Sequence, residues 1–350
     1  MNPLQRSHYS APAVQAPASA IVVAYLHDPR GIREAVASLQ EQTTPPAEIF
    51  VVDNDPDGAV GEALKEWELP IHVLHPGENL GYTDACNLAA EQATQPWLFF
   101  LNPDARAAPD CLERLIDAAD ERTALAGAQV LLSDGVTVNA GDNPVHITGL
   151  SWSGHYLEPR EEGEPRETAS ISGAAHVTRA NVFRELGGYP PDFFLYVDDT
   201  DMAWRARMAG WKVLFVPSAT VVHDYEFQKG KHKWLYLERN RLWMVFSNYS
   251  FTALVLLAPL LIAAEFVIAR QARRDGWWPE KVEAWRQTLS RRRALWRWRR
   301  HVQRGRREGD ATLLTQMTGS IDTPLVRSPL LVVANPWMER YRRAMQRALS

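Results

Sequence analysis

The sequence predicts an α/β fold with a mainly parallel sheet covered by helices, and three observations carry that expectation. From Ala20 onward, short apolar runs alternate with stretches of helical periodicity, the pattern of strand and crossover helix. At 350 residues, 46% of them hydrophobic, the chain can bury a substantial core. Carboxylate, amide or imidazole residues follow several of the apolar runs, where open α/β sheets place their ligands.

The elements follow in order. IVVAYL (Ile21 to Leu26) is a buried strand, and Ile32, Val36 and Leu39 make a helical stripe within Gly31 to Gln42. Strands follow at Glu48 to Asp55 and Ile71 to His75, then a helix at Asp84 to Ala93 and a strand at Trp97 to Leu101. Pro109 to Glu121 reads as a helix and Gly127 to Leu132 as a strand; Asp134 to Thr168, rich in Gly, Pro and Glu, reads as loop. A helix around Asn181 to Leu186 ends at Gly187-Gly188. Another runs from near Asp199 to Met208, closed by Gly210, and WKVLFVP and TVVH read as two further strands. No internal repeat is visible.

Three sections are expected: a disordered, Pro/Ala/Ser-rich leader over 1–19, a catalytic domain over 20–249 and a helical region over 250–350. The leader has no apolar core of the secretory kind. Two cysteines, Cys86 and Cys111, are too few for a disulfide framework and lack zinc-type spacing, which fits a reducing, cytosol-facing setting. The net charge of -4 conceals about thirteen arginines between Arg270 and Arg307. They follow the apolar run Phe251 to Ala269, which is of membrane-spanning length but is interrupted by Pro259 and Glu265. An ionised Glu in hydrocarbon costs about 2.5–3.5 kcal/mol. A single span would also export the arginine cluster, against the positive-inside tendency. A re-entrant or in-plane helix on an anionic membrane surface is therefore expected. A helix buried in a homo-oligomer interface is the alternative. Nucleic acid is not expected, because the interleaved tryptophans and the apolar neighbour suit a lipid headgroup zone.

The candidate chemistry begins with Asp53-Asn54-Asp55, Asn102-Pro103-Asp104 and His223, each after a strand. A carboxylate and an imidazole there suit Mg²⁺ or Mn²⁺ with a diphosphate supplying further oxygens. Turn formation, helix capping and a structural histidine are the alternatives. In Asp198-Asp199-x-Asp201, three acids in four positions exceed what capping needs. Asp198 and Asp201 share a helix face, Arg205 can pair with Asp201, and Asp199 is left as a candidate general base.

The ordered set IVVAY, VVDN, NLGY, LFFLNPD, SGAAHVTR, LGGY, FFLYVDDTDMAWRARMAGWKVLFVP, H and YLERNR, over Ile21 to Asn248, resembles bacterial family 2 glycosyltransferases of the GT-A fold. The similarity is to the rhamnosyltransferase-like and galactofuranosyltransferase-like branch. It implies that Tyr25, Asp53, Asn54, Asn79, Asn102 and Arg239 surround the nucleotide and that Asp104 and His223 hold Mg²⁺ or Mn²⁺. It further implies Asp199 as the base, Asp198, Asp201, Trp204 and Arg205 around the acceptor, and a closing loop over Asp224 to Lys233. The implied reaction is inverting transfer of a sugar, with rhamnose from dTDP-rhamnose as the candidate, to a lipid-linked or cell-envelope glycan at the cytoplasmic face of the inner membrane. The sequence departs from the family at Ala24-Tyr25-Leu26 and at GYTDACN, where Asp84, Ala85 and Cys86 replace small or amide residues, so the donor sugar is open. A sugar nucleotidyltransferase would want a richer phosphate loop after the first strand, and a dehydrogenase GxGxxG is absent. An inactive membrane scaffold would not be expected to retain Asp104, Asp199 and His223.

Overall fold

A computed structural model describes residues 15–25, 29–65, 71–223, 230–326 and 329–350. The chain order begins β1 (Ala16–Ala24), α1 (Pro29–Gln40), β2 (Pro46–Asp53), α2 (Ala59–Lys65), β3 (Ile71–Leu74), α3 (Gly81–Gln92) and β4 (Trp97–Leu101). It continues with β5 (Ala105–Ala107), α4 (Cys111–Asp117), β6 (Thr123–Leu131), β7 (Val138–Ala140), β8 (Arg166–Glu167), β9 (Ala175–Arg179), α5 (Ala180–Glu185), α6 (Asp198–Met208) and β10 (Lys212–His223). The rest is helical: α7 (His232–Asn248), α8 (Phe251–Arg274), α9 (Trp278–Ser290), α10 (Arg292–Arg304), α11 (Asp310–Gln316) and α12 (Pro329–Ala348).

The sheet runs β3-β2-β1-β4-β9-β6-β10-β5, with β7 and β8 pairing off this path. Strands β3, β2, β1 and β4 are parallel. β9 inserts antiparallel between β4 and β6, and β10 returns parallel to β6. The mainly parallel α/β expectation holds, with β9 as the reversal that sequence periodicity did not show. Both sheet faces are covered, so β1, β4 and β6 are buried along nearly all their length and read as continuous apolar runs. WKVLFVP and TVVH form one strand rather than two. β10 continues through an irregularity between Val216 and Thr220, where Pro217 cannot donate to the ladder. β1 begins at Ala16, so four residues assigned to the leader belong to the sheet's central strand.

Two apolar cores sandwich the sheet. A third joins the part before residue 250 to the part after it: Phe193, Trp204, Met208 and Trp243 pack with Leu257, Leu260, Leu295, Leu313 and Met338. The C-terminal helices are thus packed on the α/β part as one body of side chains.

The segment 192–197 enters α6 under backbone strain. Phe194, Tyr196 and Val197 have φ of +65°, +69° and +67°, in a region that costs an L-residue roughly 1–2 kcal/mol. Neighbouring elements hold it there. From α3, the Tyr82 amide donates to the Phe194 carbonyl at 2.6 Å. From α7, Asn240 Nδ2 donates to the carbonyls of Phe193, Leu195 and Tyr196 at 2.8–3.0 Å. One guanidinium nitrogen of Arg239 donates to the carbonyls of Asp192 and Phe193 at 2.7 Å each. Gly81 permits the α3 contact: its φ is +76°, and a Cβ there would sit 2.5 Å from the Phe194 carbonyl oxygen.

Gly81→Ala should therefore destabilise the protein by more than the roughly 1–2 kcal/mol of the backbone term alone, read as a lower midpoint in urea denaturation. A midpoint equal to that of the wild type would show that α3 and the 192–197 segment do not constrain each other.

Candidate active site

β4 ends at Leu101 and is followed by Asn102-Pro103-Asp104, while β10 ends at His223. β5 then pairs antiparallel with β10, with Ala105 opposite His223. That register sets Asp104 Oδ1 2.9 Å from His223 Nε2, and Asn102 Nδ2 lies 3.4 Å from the same nitrogen. His223 is buried, whereas the Asp104 side chain is 21% exposed and so open to a ligand. One carboxylate oxygen and one imidazole nitrogen fit Mg²⁺ or Mn²⁺ in donor type. No third His, Cys, Asp or Glu joins them among the described residues, so a cation there needs oxygens from a bound anion.

The Asp104 turn is linked to the carboxylates of α6 through one backbone segment. The Asn102 amide donates to the Ala174 carbonyl at 2.9 Å, and next along the chain the Gly173 amide donates to Asp199 Oδ2 at 2.8 Å. The other oxygen of Asp199 accepts from the Thr200 amide at 2.6 Å. Asp199 is thereby oriented and remains partly exposed, while Asp198 beside it is buried. Burial and the charges of Asp199 and Asp201 push Asp198 up to about 8. Burial also raises Asp199, against the hydrogen bonds that it accepts. Burial favours the neutral form of Asp198, the more enclosed of the two, a division of roles that suits the better-exposed Asp199 as a base.

Several expected site residues are committed elsewhere. Asp201 is fully buried: Oδ2 takes Arg205 Nε at 2.6 Å and Oδ1 takes Asn248 Nδ2 at 3.1 Å. Arg205 spends its other nitrogens on the carbonyls of Leu186 and Gly188. Trp204 is buried edge-on against Tyr249. Together these three form a buried anchor of α6, in which Trp204 Nε1 has no hydrogen-bond partner among the described residues. The Arg239 guanidinium is buried on the 192–193 carbonyls and on Gln287, where it shapes the loop.

Asp53 is wholly buried and accepts from the Gly61 amide of α2 at 2.7 Å and from the Asp55 amide at 3.1 Å. Asn79 Oδ1 closes a turn on the Gly81 amide at 2.9 Å. Asn54 Nδ2 donates to the Gly81 carbonyl, while its buried Oδ1 has no hydrogen-bond partner among the described residues. Tyr25 is 38% exposed just beyond β1. Within Asp224 to Lys233, residues 224–229 lie outside the described residues. Asn240, within YLERNR, carries the amide that holds the loop before α6, a role that the motif signals only through its residue type.

The glycosyl transferase family 2 model matches residues 19–187, a stretch that contains most of β1, the Asn102–Asp104 turn and Gly173. Residues 19–187 are a family 2 glycosyltransferase domain. Among similar curated proteins is an N-acetylglucosaminyl-diphospho-decaprenol L-rhamnosyltransferase from Mycobacterium tuberculosis. It is 27% identical over 237 residues, covering 60% of this chain and 77% of that protein. An O-antigen chain rhamnosyltransferase from Salmonella anatum is 24% identical over 197 residues, covering 54% and 60%. The fold is shared with GalNAc-T7, solved with UDP, GalNAc and Mn²⁺ (TM-score 0.55, 18% identity, 68% of this chain and 49% of that one). It is also shared with a mannosyltransferase from Pyrobaculum calidifontis, solved with GDP-Man and Mn²⁺ (TM-score 0.50, 18% identity, 79% and 76%). The candidate base, Asp199, lies beyond the matched stretch but is hydrogen-bonded back to Gly173 within it.

The raised Asp198 carries a stability signature. Its folded form keeps a proton that the unfolded chain releases near pH 4, so unfolding free energy should fall as pH rises from about 4 to about 8. Asp198→Asn should flatten that fall, leaving the variant's Tm several degrees above wild type at pH 8 and close to it at pH 4. Parallel Tm profiles would show that Asp198 does not hold the proton.

Proposed function

We propose that the chain is an inverting, metal-dependent glycosyltransferase that moves a sugar from a nucleoside diphosphate donor to a lipid-linked glycan at the cytoplasmic face of the cell membrane. Rhamnose from dTDP-rhamnose is the donor proposed, in keeping with the rhamnosyltransferases among the similar proteins. The observation that carries the reading is the Asn102–Ala174 and Gly173–Asp199 pair of hydrogen bonds, which ties an oriented carboxylate to the Asp104/His223 pair.

Asp199 accepts the proton of the acceptor hydroxyl as that oxygen attacks the anomeric carbon, and the bond to the diphosphate breaks on the opposite side, which inverts the centre. Asp104 Oδ1 and His223 Nε2 would hold a divalent cation, which supplies positive charge to the departing diphosphate. Neutral Asp198 can donate a hydrogen bond to the acceptor or to Asp199. The strained loop before α6 fixes where both carboxylates start. Tyr25, Asn54, Asn79 and Asn102 remain proposed donor-side contacts, of which Asn54 Oδ1 is an acceptor still to be matched. The Mn²⁺ and nucleotide or nucleotide-sugar ligands of the two solved structures support a cation-dependent donor site. The decaprenol-linked substrate in the mycobacterial protein's name supports a lipid-linked acceptor.

Asp199→Asn should lower kcat by about 10²-fold or more and leave nucleotide diphosphate affinity near that of the wild type, by release of nucleotide diphosphate and by calorimetry. Full activity would remove Asp199 as the base. His223→Ala and Asp104→Asn should each abolish the gain in nucleotide affinity that Mn²⁺ gives the wild type; an unchanged gain in both would place the cation elsewhere.

A further inference from the structure

Among the described residues α8 is the one helix long and apolar enough to cross a membrane, yet it is fastened to the protein along its length. The Ser250 hydroxyl caps it at Ala253. Ala253, Leu257 and Leu260 are buried in the third core, and the Leu256 carbonyl accepts from the Tyr341 hydroxyl of α12 at 2.5 Å. Farther along, the Glu265 carboxylate takes Arg241, Lys281 Nζ at 2.8 Å and Trp285 Nε1 at 2.9 Å. Arg241 and Lys281 also pair with buried Glu238. Beyond that network Ala272 is buried and its carbonyl accepts from the Trp277 amide. Threading α8 through a bilayer would separate it from this network and leave buried charges unpaired.

The opposite stripe of α8 is bare. Val255, Ile262 and Phe266 are 72%, 69% and 74% exposed, and the stripe ends in exposed Arg270. On α12, Val333 and Trp337 are 77% and 54% exposed, and the same stripe continues into exposed Arg340, Arg343 and Arg347. The exposed positions of both helices carry no carboxylate. A soluble surface seldom leaves such an apolar face uncovered. A second copy meeting it face to face would bring arginines against arginines, because the α12 carboxylate, Glu339, is already taken by Arg342 and Arg343. Apolar side chains that grade into arginine, with Trp at the border, match the acyl boundary and anionic headgroups of a bilayer.

We propose that the outer faces of α8 and α12 together form a docking surface that lies in the plane of an anionic lipid bilayer, with α8 on the membrane and not across it. The inference rests on the reading of a lipid-linked acceptor, for which it names the surface that brings the active site to the lipid.

The test is flotation of the full chain with vesicles of phosphatidylglycerol and phosphatidylcholine at low salt. A variant carrying Ile262→Glu, Phe266→Glu, Val333→Glu and Trp337→Glu is compared by flotation, by Tm and by transfer to a water-soluble acceptor. The wild type should float; the variant should partition at least ten-fold less with Tm and soluble-acceptor turnover unchanged. Cys86 and Cys111 are buried, so Val267→Cys can be labelled selectively with a fluorophore. Nitroxide lipids labelled near the headgroup should quench it more than those labelled at the bilayer centre. Equal flotation of wild type and variant, or stronger quenching from the centre, would overturn the proposal. So would a wild type that ignores vesicles and forms a dimer that the variant loses by light scattering. Flotation as expected, with no transfer by the wild type to any acceptor, would instead overturn the proposed activity and leave the docking surface standing.

Discussion

The placement of the candidate carboxylates Asp198 and Asp199 depends on how the backbone from Asp192 to Val197 is held. Three of its residues have left-handed φ without being glycine, a conformation that persists only where the surroundings over-determine it. Asn240 spreads its amide over three of its carbonyls, Arg239 caps two more contacts, and the start of α3 supplies a further donor. At about 0.5–1.5 kcal/mol net per hydrogen bond, these contacts are of the size needed to offset the strain. The loop delivers α6 with Asp198 buried and Asp199 open. It also fixes the phase of the helix, so that Asp201 and Arg205 point into the protein and form a buried pair.

The support for that loop reaches the far side of the molecule. α7 supplies Arg239 and Asn240 to the loop and, one residue to either side, Glu238 and Arg241 to the ion network with Glu265 and Lys281. Glu238 is held down at about 2 by Arg241 and Lys281 despite burial, so its carboxylate stays ionised at neutral pH. One helix therefore has its catalytic-loop contacts and its α8 contacts on adjacent residues, and the C-terminal helices form part of the platform on which the site is built.

Much of this was legible in the sequence. Strand ends bearing Asp104 and His223 follow from apolar runs that stop at polar residues, and the Asp201–Arg205 pair follows from four-residue spacing. Their burial did not follow, because spacing fixes which side chains meet but not which face of α6 turns inward. β9 was readable as an ordered stretch but not as an antiparallel insertion, since a strand buried on both faces has the same apolar run in either direction. The seven-residue α2 was too short to show periodicity, and Asp53 therefore looked like a ligand rather than the residue that bonds Gly61. The resemblance pointed at Arg239 as a nucleotide contact; only the packing of α7 against the loop revealed its carbonyl partners. Glu265, which looked like an obstacle to membrane insertion, is the residue that ties α8 to the protein.

The most direct measurement of the central claim, that the strained loop held by α7 sets the catalytic carboxylate, is a comparison of Asn240→Ala with wild type by steady-state kinetics and by Mn²⁺-dependent nucleotide calorimetry. The account predicts a fall in kcat of at least ten-fold with nucleotide affinity and its Mn²⁺ dependence preserved, because the Asp104/His223 pair is held by the sheet and not by α7. An unchanged kcat in a folded Asn240→Ala protein would contradict it.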